Sequence, residues 1–162
     1  MRGKYGTLTP NEINQRINLR GAVADEYARL KAQGLSKNDM GPALAGVFDK
    51  KTGQYFFGLN ARGPEIPSNL STEMATRFND MPVDVINSYV KTKGAGSHAE
   101  IYALNEAWLA RPGAAPSDFM MYVINAGGKA PTRGMLIPRC PHCEYLTSGV
   151  KYIPEVMKYG KK

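Results

Sequence analysis

Apolar residues recur with a helical period near the start of the chain. Pro10 and Asn11 are typical of a helix start and Gly34 of a helix end, so a helix is predicted over residues 10–34. Its apolar stripe consists of Ile13, Ile17, Ala24, Tyr27 and Leu30. We expect this segment to form a helical extension, residues 1–40, that precedes the rest of the fold.

Shorter apolar runs follow, and turn residues bound them, as is typical of strands. The predicted strands cover residues 43–49, 54–60, 118–125 and 150–153. The later predicted helices cover residues 71–79 and 82–92 and the part of segment 94–110 that follows Ser97, and a short helix begins near Pro141. Strands that alternate with helices predict an α/β domain with a helix-covered sheet of four or five strands.

Glycine-rich residues precede the helix predicted within residues 94–110. Ser97 is a favourable N-cap, and Glu100 lies at the spacing of a capping box. A role in capping alone is therefore one interpretation of Glu100. Trp108 follows the apolar period of this helix, so we predict that it lies in the core rather than serving as a platform for a stacked base.

Length and composition limit the class of protein. A chain of 162 residues with 43% hydrophobic residues predicts one globular domain over residues 1–162. No apolar run is long enough to span a bilayer, and the first residues lack the apolar core of a signal peptide. The net charge of +7 is spread along the chain and is compatible with a polyanionic substrate.

The two cysteines stand in the sequence CPHC, as Cys140 and Cys143. A redox dithiol is one interpretation, but a thioredoxin-like fold places its CxxC early and too little chain follows Cys143. Zinc is the other interpretation. Together with His98, the two cysteines form a set of three soft ligands, each predicted to lie at a helix start. Three protein ligands leave one tetrahedral position open, as in catalytic zinc sites.

Glu100 would then lie near the open position without binding the metal, as a group that moves protons. A closed structural zinc site needs a fourth protein ligand. The only other histidine, His142, lies between the two cysteines and is expected to point away from a metal that they share. These residues favour a catalytic zinc site.

These segments resemble a known signature. SHAEIYALN is similar to the H-x-E half of the zinc-dependent nucleobase deaminase signature, and PRCPHC is similar to its P-C-x-x-C half. Arg139 is a departure, because it separates Pro138 from Cys140. The resemblance covers about residues 43–153 and implies the cytidine deaminase-like fold, with a mixed sheet and the zinc site at helix N-termini.

Within the superfamily, the chain resembles bacterial polymorphic-toxin deaminases of the YwqJ type and single-strand DNA deaminase toxins of the SsdA type. This likeness rests on GSHAEIYALNEAW followed by SDFMMYVI, on the CPHC centre, and on an end soon after GVKYIPE. It implies conversion of cytosine to uracil in single-stranded DNA, with zinc held by His98, Cys140 and Cys143 and with Glu100 as the catalytic acid and base. Asn60 stands where related deaminases place an asparagine that contacts the target nucleotide. Ser97 precedes His98 and could line the pocket, although N-capping is its commoner role. Arg139 lies in a loop near the site and could hold a phosphate, although an exposed arginine is often only a solvated surface residue.

The resemblance also implies a biological setting. The domain is expected to be secreted as part of a larger effector, to act in the cytoplasm of the target cell, and to have a cognate immunity protein. The basic balance leads us to expect an acidic inhibitor that covers the mouth of the site. A deaminase of free nucleosides or of RNA bases, and a catalytically silent deaminase-fold binding module, remain alternatives.

Overall fold

A computed structural model describes the architecture. It describes residues 9–36, 40–61, 65–88, 96–127 and 140–152. The helices are α1 (Pro10–Ala32), α2 (Thr72–Asp80), α3 (Val83–Asn87), α4 (Ala99–Ala110) and α5 (Pro141–Leu146), with a 3₁₀ turn at Pro116–Asp118. The strands are β1 (Ala43–Asp49), β2 (Tyr55–Leu59), β3 (Phe119–Asn125) and β4 (Lys151–Tyr152).

The four strands form one mixed sheet in the order β2-β1-β3-β4. Strand β1 pairs antiparallel with both β2 and β3, whereas β3 and β4 are parallel. The sheet has helices on both faces, so the predicted α/β fold with a mixed sheet of four or five strands is confirmed.

Side chains that alternate along β1 and β3 build one core on each face of the sheet. Helix α1 covers one face, where Leu19 and Val23 pack with Leu44 and Met120. Helices α4 and α5 cover the other face, where Trp108 is 1% exposed and its ring meets that of Phe119 edge-on. The placement of Trp108 in the core is therefore confirmed.

Most predicted element boundaries lie within a few residues of those found. The third predicted helix, over residues 82–92, begins at Val83 after Pro82 as N-cap, and its described part ends at Asn87. Residues 89–95 lie outside the described part of the chain. Helix α1 has a capping box that was not predicted, because the Thr9 side chain accepts the Glu12 N–H and the Glu12 carboxylate accepts the Thr9 N–H.

Among the described helices, none combines the length and the apolar character that crossing a bilayer requires.

Candidate metal and catalytic centre

Three side chains from two distant parts of the chain meet at one end of the sheet. The Nδ1 atom of His98 lies 3.2 Å from Sγ of Cys143 and 3.5 Å from Sγ of Cys140. The three donor atoms all lie within 4.8 Å of one another. A tetrahedral zinc ion with ordinary bond lengths separates a nitrogen and a sulfur ligand by about 3.6 Å. His98, Cys140 and Cys143 can therefore hold a metal ion, and they leave one coordination position for another ligand.

Helix starts position all three donors. His98 is the N-cap residue of α4, and Cys140 is the N-cap residue of α5. The Cys140 sulfur accepts the backbone N–H of Cys143 at 3.4 Å, which draws the two cysteines to one side of the first turn of α5. Backbone N–H groups that point at a sulfur atom stabilise its thiolate form, which is the form that binds metals.

The two cysteines differ in their affinity for protons. A hydrogen bond from the Cys143 side chain, together with one from His98, lowers the pKa of Cys140 to about 4. The same Cys140–Cys143 bond and burial raise the pKa of Cys143 well above its ordinary value. In the absence of a metal, burial and this bond thus favour a proton on Cys143. A metal ion would displace that proton, so metal binding is expected to release protons.

Glu100 lies in the first turn of α4, directly beside this cluster. Its side chain is almost fully buried, and burial raises the pKa of the carboxyl group. The nearby His98 and Cys143 side chains act in the opposite direction and lower this pKa, but burial outweighs them. A hydrogen bond with Cys140 raises the pKa of His98. A buried carboxyl group with a raised pKa, next to an open metal position, suits proton transfer near neutral pH.

Two residues of β2 and its end determine where α4 begins. A Cβ atom on Gly58 would lie 2.6 Å from both the Ala103 nitrogen and the Ala99 oxygen, so only glycine allows this close approach of helix to strand. One residue beyond β2, the Asn60 Oδ1 atom accepts the Ala99 N–H at 2.9 Å. These contacts place His98 opposite the two cysteines.

This role of Asn60 was not predicted. We expected Asn60 to contact a nucleotide, and the structure gives its side-chain oxygen to the backbone of α4. The amide nitrogen of the same side chain has no protein partner in the described part of the chain, so the predicted nucleotide contact stays a prediction. Arg139 lies outside the described residues, and so do residues 128–138 of the preceding loop.

The predicted capping box at Ser97 and Glu100 is wrong. The N-cap residue is His98, one position later, and it makes no side-chain capping bond. Asn60 supplies the cap from outside the helix, which is why the local spacing was misleading. Ser97 is buried immediately before the metal-site histidine, and its carbonyl accepts the Ala61 N–H at 2.9 Å. The predicted contact between Ser97 and a substrate stays a prediction.

Helix α4 also holds the segment that leads from β2 to α2. The fully buried Asn105 side chain accepts the Ser71 N–H and donates to the Asn69 carbonyl, both at 2.8 Å. The Tyr102 hydroxyl donates to the Glu65 carbonyl at 3.1 Å. Sequence reasoning missed Asn105, although a polar residue within the apolar stripe of a helix is a signal of a buried hydrogen-bond network.

The second histidine lies outside the donor cluster. The Nε2 atom of His142 is 2.9 Å from the Ile86 carbonyl oxygen, so its ring joins α5 to α3. This contact agrees with the expectation that His142 points away from a metal held by its neighbours.

The chain is similar to known proteins over most of its length. A model of the family described as YwqJ-like deaminase matches residues 27–152. The chain is 48% identical over 163 residues to Toxin YwqJ from Bacillus subtilis (strain 168). That alignment covers 99% of this chain but only 27% of the relative. No solved structure matches the chain.

Proposed function

Because the chain belongs to the YwqJ-like deaminase family, we propose that it is a zinc-dependent deaminase that converts cytosine to uracil in single-stranded DNA. The observation that carries the proposal is the meeting of His98, Cys140 and Cys143 beside the buried carboxyl group of Glu100. This donor set, with three soft ligands and an adjacent acid, is the one that zinc-dependent nucleobase deaminases use.

The donor set fits zinc and does not fit magnesium or calcium. Two sulfur atoms and one imidazole nitrogen are ligands that zinc accepts in tetrahedral geometry, whereas magnesium and calcium require oxygen ligands. A zinc ion bound by these three residues would supply Lewis-acid activation of a water molecule at neutral pH.

Glu100 moves the protons of the reaction. Its carboxylate takes one proton from the attacking water and delivers it to N3 of the base. It then takes the second proton of that water, which is now on the C4 hydroxyl group, and delivers it to the departing amino group as the C4 carbonyl forms. Burial raises the pKa of this carboxyl group toward neutral pH, so the group can both accept a proton from water and release a proton to the base. The products are uracil and ammonia, so atoms and charges balance without a further reactant.

A single strand is the preferred substrate on physical grounds. The target base must leave its stack to reach a buried acid, and an unpaired base does so at lower cost than a paired one. The net charge of +7 favours a polyanion. In this proposal Asn60, Ser97 and Arg139 contact the target nucleotide or its phosphate.

The name of the relative, Toxin YwqJ, and the small share of that protein that the chain covers support a proposal for the biological role. We propose that this domain is the toxin module of a longer secreted effector that acts in the cytoplasm of a target cell. A producing cell then needs a cognate immunity protein, which we expect to present an acidic surface to the mouth of the site.

Sequencing of genomes tests the proposal. The domain is expressed in a bacterium that cannot repair uracil, and Glu100→Ala serves as the matched control. We expect C·G to T·A transitions with the native chain and none above background with the variant. A·T to G·C transitions would identify adenine as the target. The absence of any DNA change would favour the RNA, free-nucleoside or silent alternatives.

A further inference from the structure

Strand β2 forms one edge of the sheet. It pairs with β1 on one side, and in the described part of the chain no strand pairs with its other side. The hairpin pairing shows which backbone groups face outward. The Asp49 N–H donates to the Gln54 carbonyl at 2.9 Å, so Gln54 and every second residue after it face β1. The backbone N–H and C=O groups of Tyr55, Phe57 and Leu59 therefore point away from the sheet.

This open edge lies at the bottom of a groove. The groove has a volume of about 520 Å³, and α1 and α4 form its two walls, one on each face of the sheet. Its lining includes Glu26, Leu30, Phe57, Leu59, Tyr102 and Glu106. Because a wall stands on each side of the edge, one extended chain can enter the groove. A sheet that carries its own covering helices would collide with the walls. This shape argues against edge-to-edge pairing of two copies of the domain.

The charges of the groove oppose those of the whole chain. Each wall carries a glutamate, although the net charge of the chain is +7. Glu26 is paired with Arg29 at 2.6 Å. Glu106 is exposed and has no ion-pair partner in the described part of the chain. A carboxylate that has no ion-pair partner among the described residues, and that lies beside the edge, repels the phosphates of a nucleic acid and attracts basic side chains.

From this geometry we propose that the β2 edge binds an extended segment of a partner protein, with alternating apolar and basic residues, as an added strand. Main-chain hydrogen bonds to Tyr55, Phe57 and Leu59 would supply affinity, as in other cases of strand addition. Because successive side chains of a strand point to opposite faces, apolar side chains of the partner would pack on the α1 wall, and basic side chains would face the α4 wall, where one would pair with Glu106. The binding site is separate from the metal centre, so it does not depend on the proposed deaminase activity.

The test uses the whole 162-residue chain, labelled with ¹⁵N, and a capped ten-residue peptide of alternating valine and lysine. Amide hydrogen exchange is followed by NMR with and without the peptide. In the free chain we expect fast exchange at Tyr55, Phe57 and Leu59 and slow exchange at Phe56 and Gly58. On addition of the peptide, exchange at Phe57 and Leu59 should slow, whereas Phe56 and Gly58 should change little.

Matched variants test the charge. Glu106→Lys should weaken binding of the peptide by about fivefold or more, since an ion pair is replaced by repulsion. Asp25→Lys changes an exposed carboxylate of α1 that does not line the groove, so it should change the affinity much less. The same peptide with every backbone nitrogen methylated keeps its charge but cannot pair through either edge, and it should not slow exchange.

Four outcomes would overturn the proposal. The first is that the peptide does not slow exchange at Phe57 and Leu59, and the second is that Glu106→Lys and Asp25→Lys lose equal affinity. The third is that protection depends on protein concentration alone. The fourth is that a single-stranded oligothymidylate protects the same residues. The third would identify a second copy of this chain as the occupant, and the fourth would identify nucleic acid. Deaminase activity is measured separately on the same samples, so failure of this proposal and failure of the proposed function are distinguishable.

Discussion

The close contact of β2 with α4 makes a quantitative prediction for Gly58→Ala. The added Cβ would lie 2.6 Å from two backbone atoms of α4 and 2.9 Å from the Tyr102 Cβ. Backbone atoms of a packed helix cannot rotate away as a flexible side chain can, so helix and strand must separate. Overpacking of this kind lowers the free energy of unfolding by about 2–3 kcal/mol. In a domain of this size, that corresponds to a fall in Tm of about 4–12 °C.

Gly21→Ala is the matched control for this variant. Gly21 lies in α1 with an exposed backbone, and a Cβ there meets nothing within 4 Å. The same substitution should therefore raise the free energy of unfolding by about 0.5–1 kcal/mol, because alanine favours the helix. Both variants are measured by urea unfolding and by thermal melting monitored by circular dichroism.

The metal content of Gly58→Ala provides a second measurement. Displacement of α4 moves His98 away from the two cysteines, so this variant should retain less zinc than the native chain after purification without chelator. If Gly58→Ala proves as stable as the native chain and keeps its zinc, the close approach of β2 to α4 does not determine the geometry of the site.

The remaining predictions concern single polar groups. Glu100→Gln should lower the rate of deamination by at least about 10²-fold while zinc content and Tm stay unchanged, and full activity would remove Glu100 from the mechanism. Asn60→Ala should lower the free energy of unfolding by about 1 kcal/mol through loss of the cap on Ala99, and Asn60→Asp, which keeps an acceptor, should recover most of it; equal losses would exclude capping. Burial raises the pKa of Asp49, but hydrogen bonds from Arg111 outweigh this and lower the pKa overall, so its contribution to stability is present above about pH 4 and is lost as pH falls through the lowered pKa. Acid unfolding of Asp49→Asn should then depend less steeply on pH below about pH 4, and identical curves would contradict this.

Periodic patterns in the sequence were sufficient to predict most of the fold. The strand over residues 118–125 was recognisable because six of the seven residues of β3 are buried, so its apolar run is nearly continuous. The donors His98 and Cys143 were recognisable from motif spacing, although 45 residues separate them. Both motifs lie at helix starts, where backbone N–H groups have no partner within the helix. Such groups can stabilise the thiolate ligands of a metal, so two helix starts that meet can build one site.

Contacts between distant residues could not be predicted in the same way. Asn60 caps a helix that begins 39 residues later, and Asn105 holds backbone groups 34 and 36 residues earlier. Local patterns contain no information about such partners. The incorrect prediction of Ser97 as N-cap has the same origin. Asn60, one residue beyond β2, caps the helix in place of the local serine that the spacing suggested.

We propose above all that a zinc ion held by His98, Cys140 and Cys143 supports deamination of cytosine in single-stranded DNA. The most direct measurement incubates the purified domain with a single-stranded oligonucleotide that contains one cytosine and follows its conversion to uracil by mass spectrometry. The sample is assayed as purified, after removal of zinc by a chelator, and after zinc is restored. We expect one zinc per chain in the first and third samples, and conversion of cytosine to uracil in both. We expect no conversion in the second sample. Conversion that survives complete removal of zinc, or no conversion by a chain that carries its full zinc content, would contradict this proposal.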